Sequence, residues 1–157
     1  MSAAQNFTNS WLRHRLVGNE IVDMVSDEHL NFRPWDKAMT LKELVLHMLF
    51  SADMFTEAVK QGAFVPPAGS QPEVNTAEEL KQLVHEVTAK TRETMESLSE
   101  DQFSSLVDLT KLFGTQMPGK SVLHVMRDHE IHHKGQLFVY ARMIGLENLP
   151  MFVKKQL

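Results

Sequence analysis

The sequence predicts an all-α protein, a four-helix bundle with long connections before its second and fourth helices. Four segments of roughly 20 residues place apolar side chains three and four positions apart, the spacing of one helix face. Almost no segment alternates apolar and polar residues in the manner of a strand. Each helical segment carries a single apolar stripe, which helices of this kind bury by packing against one another. We assign residues 1–157 to one domain, since the length is that of a single globular unit.

The first two predicted helices have clear boundaries. The first runs from about Ser2 to Ser26, and its apolar stripe includes Trp11. The second opens at Thr40, whose hydroxyl can cap the helix while the Glu43 side chain reaches back to the cap backbone. It ends at Gly62, because glycine readily takes the left-handed conformation that closes a helix.

The remaining chain contains two further helices and two long connections. Residues 64–75 include three prolines and form a surface connection. A second capping box, Thr76 with Glu79, starts the third helix, which extends to about Leu98. The fourth helix covers about residues 120–144. The connections before the second and fourth helices are long enough to cross the bundle, so simple up-and-down neighbours are not assumed.

Composition excludes several classes of function. With a net charge of −4, the chain lacks the strong positive field that attracts phosphate backbones, so no nucleic acid partner is expected. No segment resembles a targeting signal or a membrane span, and we expect a cytoplasmic protein without a membrane partner. The chain has no cysteine, which excludes disulfides, thiolate nucleophiles and cysteine-ligated zinc.

Histidine is the unusual residue type, because four of the eight histidines lie between positions 124 and 133. His129 and His133 are one turn apart on the apolar stripe of the fourth helix and point the same way. His132 lies on an adjacent face, and His124 points away from both. His47 lies on the apolar stripe of the second helix, so it is the candidate for a third inward histidine.

Two interpretations remain open for these residues. Buried imidazoles can be hydrogen-bonded packing residues, which is the common case for a single core histidine. A side-by-side pair is costly to bury without a partner, and a divalent metal removes the cost by accepting the lone pair of each neutral ring. Three histidine ligands with open positions for water or substrate are typical of a reactive site. Such ligands suit zinc, nickel, copper or iron.

The run from His129 to His133 also matches the H-E-x-x-H motif of zinc peptidases. In that motif Glu130 would be the general base. The extended form fails, since Gln136 stands where a glycine is required and no later histidine exists. The chain also shows no strand to hold a peptide, so the peptidase hypothesis is disfavoured. We interpret Glu130 as a solvated residue or as a support for the adjacent histidine.

Two longer motifs resemble a known family. They are the run from Asp128 to Leu137 with the following Tyr140–Gly145, and the run from Thr40 to His47. Together they are similar in order and distance to the last and second helices of the DinB/YfiT-like superfamily of small bacterial metal-binding bundles. The resemblance implies a four-helix bundle, often a homodimer, in which His47, His129 and His133 bind the metal. The family often has arginine where this chain has Lys134.

The same resemblance implies a function. Characterised relatives include thiol transferases and a thiol-dependent isomerase, which use the metal to activate a low-molecular-weight thiol. We therefore expect one divalent transition metal per chain, zinc or nickel first, with iron, manganese or copper as alternatives. The expected activity is transfer of a small nucleophile to a small-molecule electrophile, and no catalytic residue is assigned. The alternative is a non-catalytic bundle whose ion serves sensing or stability.

Overall fold

The computed structural model describes residues 1–157 and confirms an all-α bundle. Four long helices match the four predicted ones, and short elements join the third to the last. The helices are α1 Ala3–Asp23, α2 Leu41–Gln61, α3 Ala77–Glu96, α4 Glu100–Ser104, α5 Thr110–Phe113 and α6 Gly119–Met143, with strands β1 Leu106–Asp108 and β2 Gln116–Pro118. A 3-10 turn lies at Asp27–His29. None of these helices is both long and apolar enough to span a membrane.

The predicted helix starts are confirmed by their caps. At α2, the Glu43 backbone N–H donates to Thr40 Oγ1 at 3.1 Å, and the Thr40 N–H donates to Glu43 Oε2 at 2.7 Å. Thr76 and Glu79 form the same reciprocal pair at α3. These bonds satisfy backbone donors that the first helical turn leaves without partners. Gly62 ends α2 with a φ of +79°, in the left-handed region.

Consecutive long helices are not always neighbours in the bundle. Both α1 and α2 pack against α3 and α6, so α1 lies diagonally from α2 and α3 lies diagonally from α6. The connections before α2 and before α6 therefore cross the bundle, as their lengths predicted. This topology makes α2 and α6 adjacent, with the most extensive packing of any helix pair.

The bundle has two apolar cores stacked along its axis. On α2, residues from Leu41 to Leu49 belong to one core, and residues from Ala52 to Val59 belong to the other. On α6, residues up to Met126 belong to the second core, and residues from Leu137 onward belong to the first. Positions 129–134 of α6 lie between the two cores, and this layer holds most of the buried charge of the helix.

A small sheet interrupts the connection before α6, which the sequence did not predict. Strands β1 and β2 pair antiparallel, with Val107 opposite Met117. The backbone of Asp108 also exchanges hydrogen bonds with Gly62 and Phe64 at the end of α2, both at 2.9 Å. Three-residue strands are too short to show alternation, so the pattern of apolar residues gives no strand signal here.

Candidate metal centre

The structure brings together the three histidines that the sequence singled out. His47 from α2 lies 3.0 Å from His129 and 3.1 Å from His133 of α6, measured between Nε2 atoms. The Nε2 atoms of His129 and His133 are 3.0 Å apart. His133 is 8% exposed, and the other two rings are partly buried. Three ring nitrogens therefore converge on one point between the two adjacent helices.

The local structure explains this convergence. His129 and His133 are separated by one turn of α6, so their side chains leave the helix on the same side. His47 lies on the side of α2 that packs against α6. The rings meet edge to face, with centroids 4.4–4.8 Å apart. Helix spacing and helix packing thus place one nitrogen from each ring at a common position.

Hydrogen bonding alone does not satisfy the three nitrogens. Each Nε2 atom is either an N–H donor or a lone-pair acceptor. When three such atoms contact one another pairwise, at least two share the same state, so at least one contact joins two donors or two acceptors. Such a contact is repulsive in a partly buried site. A cation removes the conflict because it accepts all three lone pairs.

The spacing of the nitrogens fits a single metal ion. Two nitrogens that bind one ion at about 2.0–2.1 Å lie about 2.8–3.4 Å apart, for angles from octahedral to tetrahedral. The three observed separations, 3.0–3.1 Å, lie within that range. His47, His129 and His133 can therefore hold a metal ion together.

Gln136 orients one of these rings. The Nδ1 atom of His133 lies 2.7 Å from Oε1 of Gln136 and donates to it, because a carboxamide oxygen only accepts. With the proton on Nδ1, the Nε2 atom of neutral His133 carries a lone pair and faces the other two rings. Metal-binding histidines commonly have such a partner. The sequence analysis missed this role, although a glutamine three residues after a histidine on one helix is a usable signal.

The environment favours neutral rings. Burial, with a further contribution from His133 and His47, lowers the pKa of His129 from 6.5 to about 4. Burial and His133 also lower the pKa of His47. Neutral imidazole is the form that binds metals, so these two rings are ready to donate their lone pairs at neutral pH.

The other five histidines contribute no ring nitrogen to this cluster, although the His132 ring lies beside it, with its centroid 4.8 Å from that of His133. His14 accepts a hydrogen bond from Lys134, and His29 contributes to a turn by accepting from the Ser26 backbone. His85 lies 3.1 Å from Asp23, and the His124 ring stacks on Phe7. His132 is exposed on the adjacent face of α6, as predicted.

The expectation that Glu130 is a solvated residue is wrong. Its side chain is 1% exposed, and both carboxylate oxygens accept hydrogen bonds from Arg15 of α1, at 2.6 and 2.7 Å. The carboxylate leaves α6 about 100° round the helix from the adjacent His129, toward α1. The sequence did not lead us to expect Arg15 as the buried partner of Glu130. A charged residue four positions after Trp11 on an apolar stripe was the available signal.

Lys134, the departure from the family's usual arginine, is also buried. Its Nζ atom donates to His14 Nδ1 at 2.8 Å and to the carbonyl of Phe152. Burial is the main cause of a lowered Lys134 pKa. These bonds hold the C-terminal segment against α1 and α6. The backbone N–H of Lys154 also donates to the backbone carbonyl of Arg13 at 2.9 Å.

An apolar surface lies beside the histidine cluster. The ring of Phe55 on α2 meets His129 edge to face, with centroids 6.3 Å apart. Phe113 of α5 stacks on Phe55 at 6.0 Å and is half exposed. The short elements between α3 and α6 thus bring an aromatic side chain to one flank of the cluster.

Comparison with known proteins identifies the family of this chain. The sequence model of the DinB family matches residues 1–156. The chain belongs to the DinB family. The uncharacterized protein YjoA of Bacillus subtilis (strain 168) is 36% identical over 155 residues, which cover 99% of both chains. A second uncharacterized protein of that organism, YrdA, is 23% identical over 90% of this chain and 83% of its own.

Solved structures of DinB-like proteins share the fold. The crystal structure of YjoA matches with a TM-score of 0.86 and 33% identity, covering 96% of this chain and 99% of that chain. A DinB-like protein from Bacillus cereus ATCC 10987 matches with a TM-score of 0.76 and 23% identity, covering 94% and 95%. The membership of the family and the bundle architecture implied by the sequence motifs are both confirmed.

Proposed function

We propose that this DinB-family protein binds one divalent transition metal through His47, His129 and His133 and uses it to activate a low-molecular-weight thiol. The activated sulfur is then transferred to a small electrophilic substrate. The supporting observation is the set of three Nε2 atoms within 3.0–3.1 Å of one another, an arrangement that hydrogen bonds do not satisfy. Zinc and nickel are the first candidates, since imidazole suits both.

The donor set matches this chemistry. Three neutral imidazoles leave the charge of the ion uncompensated, so the bound ion lowers the pKa of a thiol or water that coordinates it. The chain has no cysteine, so a sulfur nucleophile has to come from a cofactor. The small electrophilic substrate and the homodimeric assembly are predictions that rest on the family resemblance.

The protein's own side chains have distinct parts in this proposal. The three histidines hold the ion, and Gln136 keeps the Nδ1 proton of His133 away from it. The half-exposed Phe113, stacked on the buried Phe55 that contacts His129, offers an apolar surface at one flank of the centre. That surface favours an electrophile with an apolar group next to its reactive carbon.

The peptidase alternative does not fit the structure. A peptidase base has to reach the water at the metal, and in the motif that base is Glu130. Both oxygens of Glu130 are engaged by Arg15, and the side chain is shielded from solvent. Two histidines at the required spacing are therefore present without an available glutamate.

The proposed reaction is tested with a chloronitrobenzene and a panel of low-molecular-weight thiols, on protein loaded with zinc or nickel. In this reaction the sulfur–carbon bond forms, the carbon–chlorine bond breaks, chloride leaves, and the thiol proton passes to buffer. We expect acceleration that is lost on chelation and in His47→Ala, and retained in the control His124→Ala. Metal binding without acceleration by any thiol would instead support the non-catalytic metal-binding protein.

A further inference from the structure

Arg15 of α1 contacts three other helices in the polar layer between the two apolar cores. Besides its two bonds to Glu130, its Nη2 atom donates to the backbone carbonyl of Met48 on α2 at 3.2 Å. Its Nη1 atom lies 3.4 Å from Thr88 Oγ1 on α3, and its guanidinium carbon lies 4.9 Å from the centroid of the Trp11 ring. The side chain is 2% exposed. Each hydrogen-bonding nitrogen of this guanidinium therefore has a partner inside the bundle.

The partners of Arg15 are adjacent in sequence to the candidate metal ligands. Glu130 directly follows His129 on α6, and Met48 directly follows His47 on α2. Consecutive residues of a helix differ by about 100° in direction and 1.5 Å in height. Arg15 thus contacts both ligand-bearing helices at the height of the cluster, from another side.

This arrangement fixes how α2 and α6 are placed relative to each other. The guanidinium is planar, and its donors have a fixed geometry that binds both oxygens of one carboxylate. A slide of α6 along α2 would stretch the bonds to Glu130 or to the Met48 carbonyl. Apolar packing gives no comparable directional constraint, whereas metal ligands require distances within about 0.2 Å.

We propose that Arg15, through Glu130 and the Met48 carbonyl, is a positioning residue of the three-histidine centre. The inference rests on the proposed metal binding. It assigns to the buried ion pair the task of holding His47 in register with His129 and His133. A buried ion pair contributes little net stability compared with well-packed apolar residues, so stability alone does not account for its presence.

The test replaces the pair by two apolar residues of similar length, Arg15→Met with Glu130→Met. This double variant keeps the net charge and leaves neither ion without its partner. Its matched control removes an ion pair between α2 and α3, with Asp53→Asn and Lys90→Gln. For each protein we measure Co²⁺ affinity by chelator competition, the visible absorption spectrum of the Co²⁺-loaded protein, and the far-ultraviolet circular dichroism.

We expect the Met double variant to fold like the wild type, to bind Co²⁺ about 10–100-fold more weakly and to show altered cobalt bands. The control should match the wild type in both. Wild-type affinity and an unchanged spectrum in the folded Met variant would overturn the positioning role and leave metal binding intact. If that variant does not fold, Arg15→Lys decides in the same way, because lysine keeps the charge without the planar fork.

A separate result identifies failure of the premise. If the wild-type protein binds no Co²⁺, or binds it equally well in His47→Ala, the proposed metal centre is wrong and the positioning role falls with it. If the wild type binds through the histidines, only the comparison between the Met variant and its control decides the role of Arg15.

Discussion

Gln136 accepts a hydrogen bond from the Nδ1 atom of His133 at 2.7 Å, across one turn of α6. This contact assigns the ring proton to the side away from the cluster. It also fixes the plane of the imidazole, whose Nε2 atom lies 3.1 Å from that of His47. Gln136, which contributes no nitrogen to the cluster, therefore determines the tautomer of His133 within it.

Replacing Gln136 by leucine is expected to weaken binding of Zn²⁺ about 10–100-fold, because His133 loses the partner that fixes its tautomer. Titration with a competing chelator measures the change. The matched control is Gln82→Leu, at an exposed position of α3, which should bind zinc like the wild type. Equal affinity in both variants would show that Gln136 does not support the ring.

The metal-free protein is expected to lose stability as the pH falls from about 6.5 to about 4. The pKa of His129 is about 4 in the folded protein and 6.5 as its ordinary value. Between these values the unfolded chain binds more protons, so acidification favours unfolding. The contribution is complete above about pH 6.5 and is lost progressively below it.

Urea unfolding at about pH 7 and about pH 4 measures this dependence. The variant His129→Gln stays neutral at that position, so its free energy of unfolding should fall less than that of the wild type. The exposed His85→Gln serves as the control for a histidine substitution. Equal pH dependence in wild type and His129→Gln would contradict the pKa assignment.

The buried ion pair predicts a strongly non-additive stability cycle. Arg15→Met alone leaves the Glu130 carboxylate buried without its partner and should cost about 3–5 kcal/mol of unfolding free energy. Arg15→Met with Glu130→Met removes both charges and should cost far less, or stabilise the fold. Urea denaturation of the two single variants and the double variant completes the cycle. Additive losses would show that the two side chains do not interact.

Two glycines of α6 should respond in opposite directions to substitution by alanine. A Cβ atom on Gly119 would lie 2.1 Å from the carbonyl oxygen of Gln102 and 3.0 Å from Val59 Cγ1. Gly119→Ala should therefore destabilise the protein by about 1–3 kcal/mol or more. A Cβ on Gly135 meets nothing within 4 Å, so Gly135→Ala should stabilise the helix by about 0.5–1 kcal/mol. Thermal denaturation measures both, and destabilisation by Gly135→Ala would contradict the packing.

Much of the fold followed from local patterns. The capping boxes at Thr40 and Thr76 and the stop at Gly62 are encoded within a few residues, so helix boundaries were predictable. The direction of His129 and His133 also depends only on helix geometry. His47 was found because an imidazole on an apolar stripe is conspicuous. No local pattern predicted the distance between α2 and α6, because that distance depends on the packing of the whole bundle.

The features that the sequence did not predict have identifiable physical causes. Glu130 was expected near solvent because it points to another face of the helix than His129, and its partner Arg15 is 115 positions away in sequence. The sheet of β1 and β2 was missed because three-residue strands have no readable period. The Tyr140 hydroxyl donates to the Met39 carbonyl at 2.8 Å, a contact between residues 101 positions apart. For Glu130 and Tyr140 the deciding partner is remote in sequence, whereas the sheet was missed because its strands are short.

The most direct test of the metal centre is elemental analysis of the untagged, purified protein, with and without chelation. We predict about one divalent transition-metal ion per chain, lost in His47→Ala, His129→Ala and His133→Ala. The same ion should be retained in His124→Ala and His132→Ala, which change histidines outside the cluster. Absence of bound metal in wild-type protein supplied with zinc or nickel, or equal loss in His132→Ala, would contradict the account.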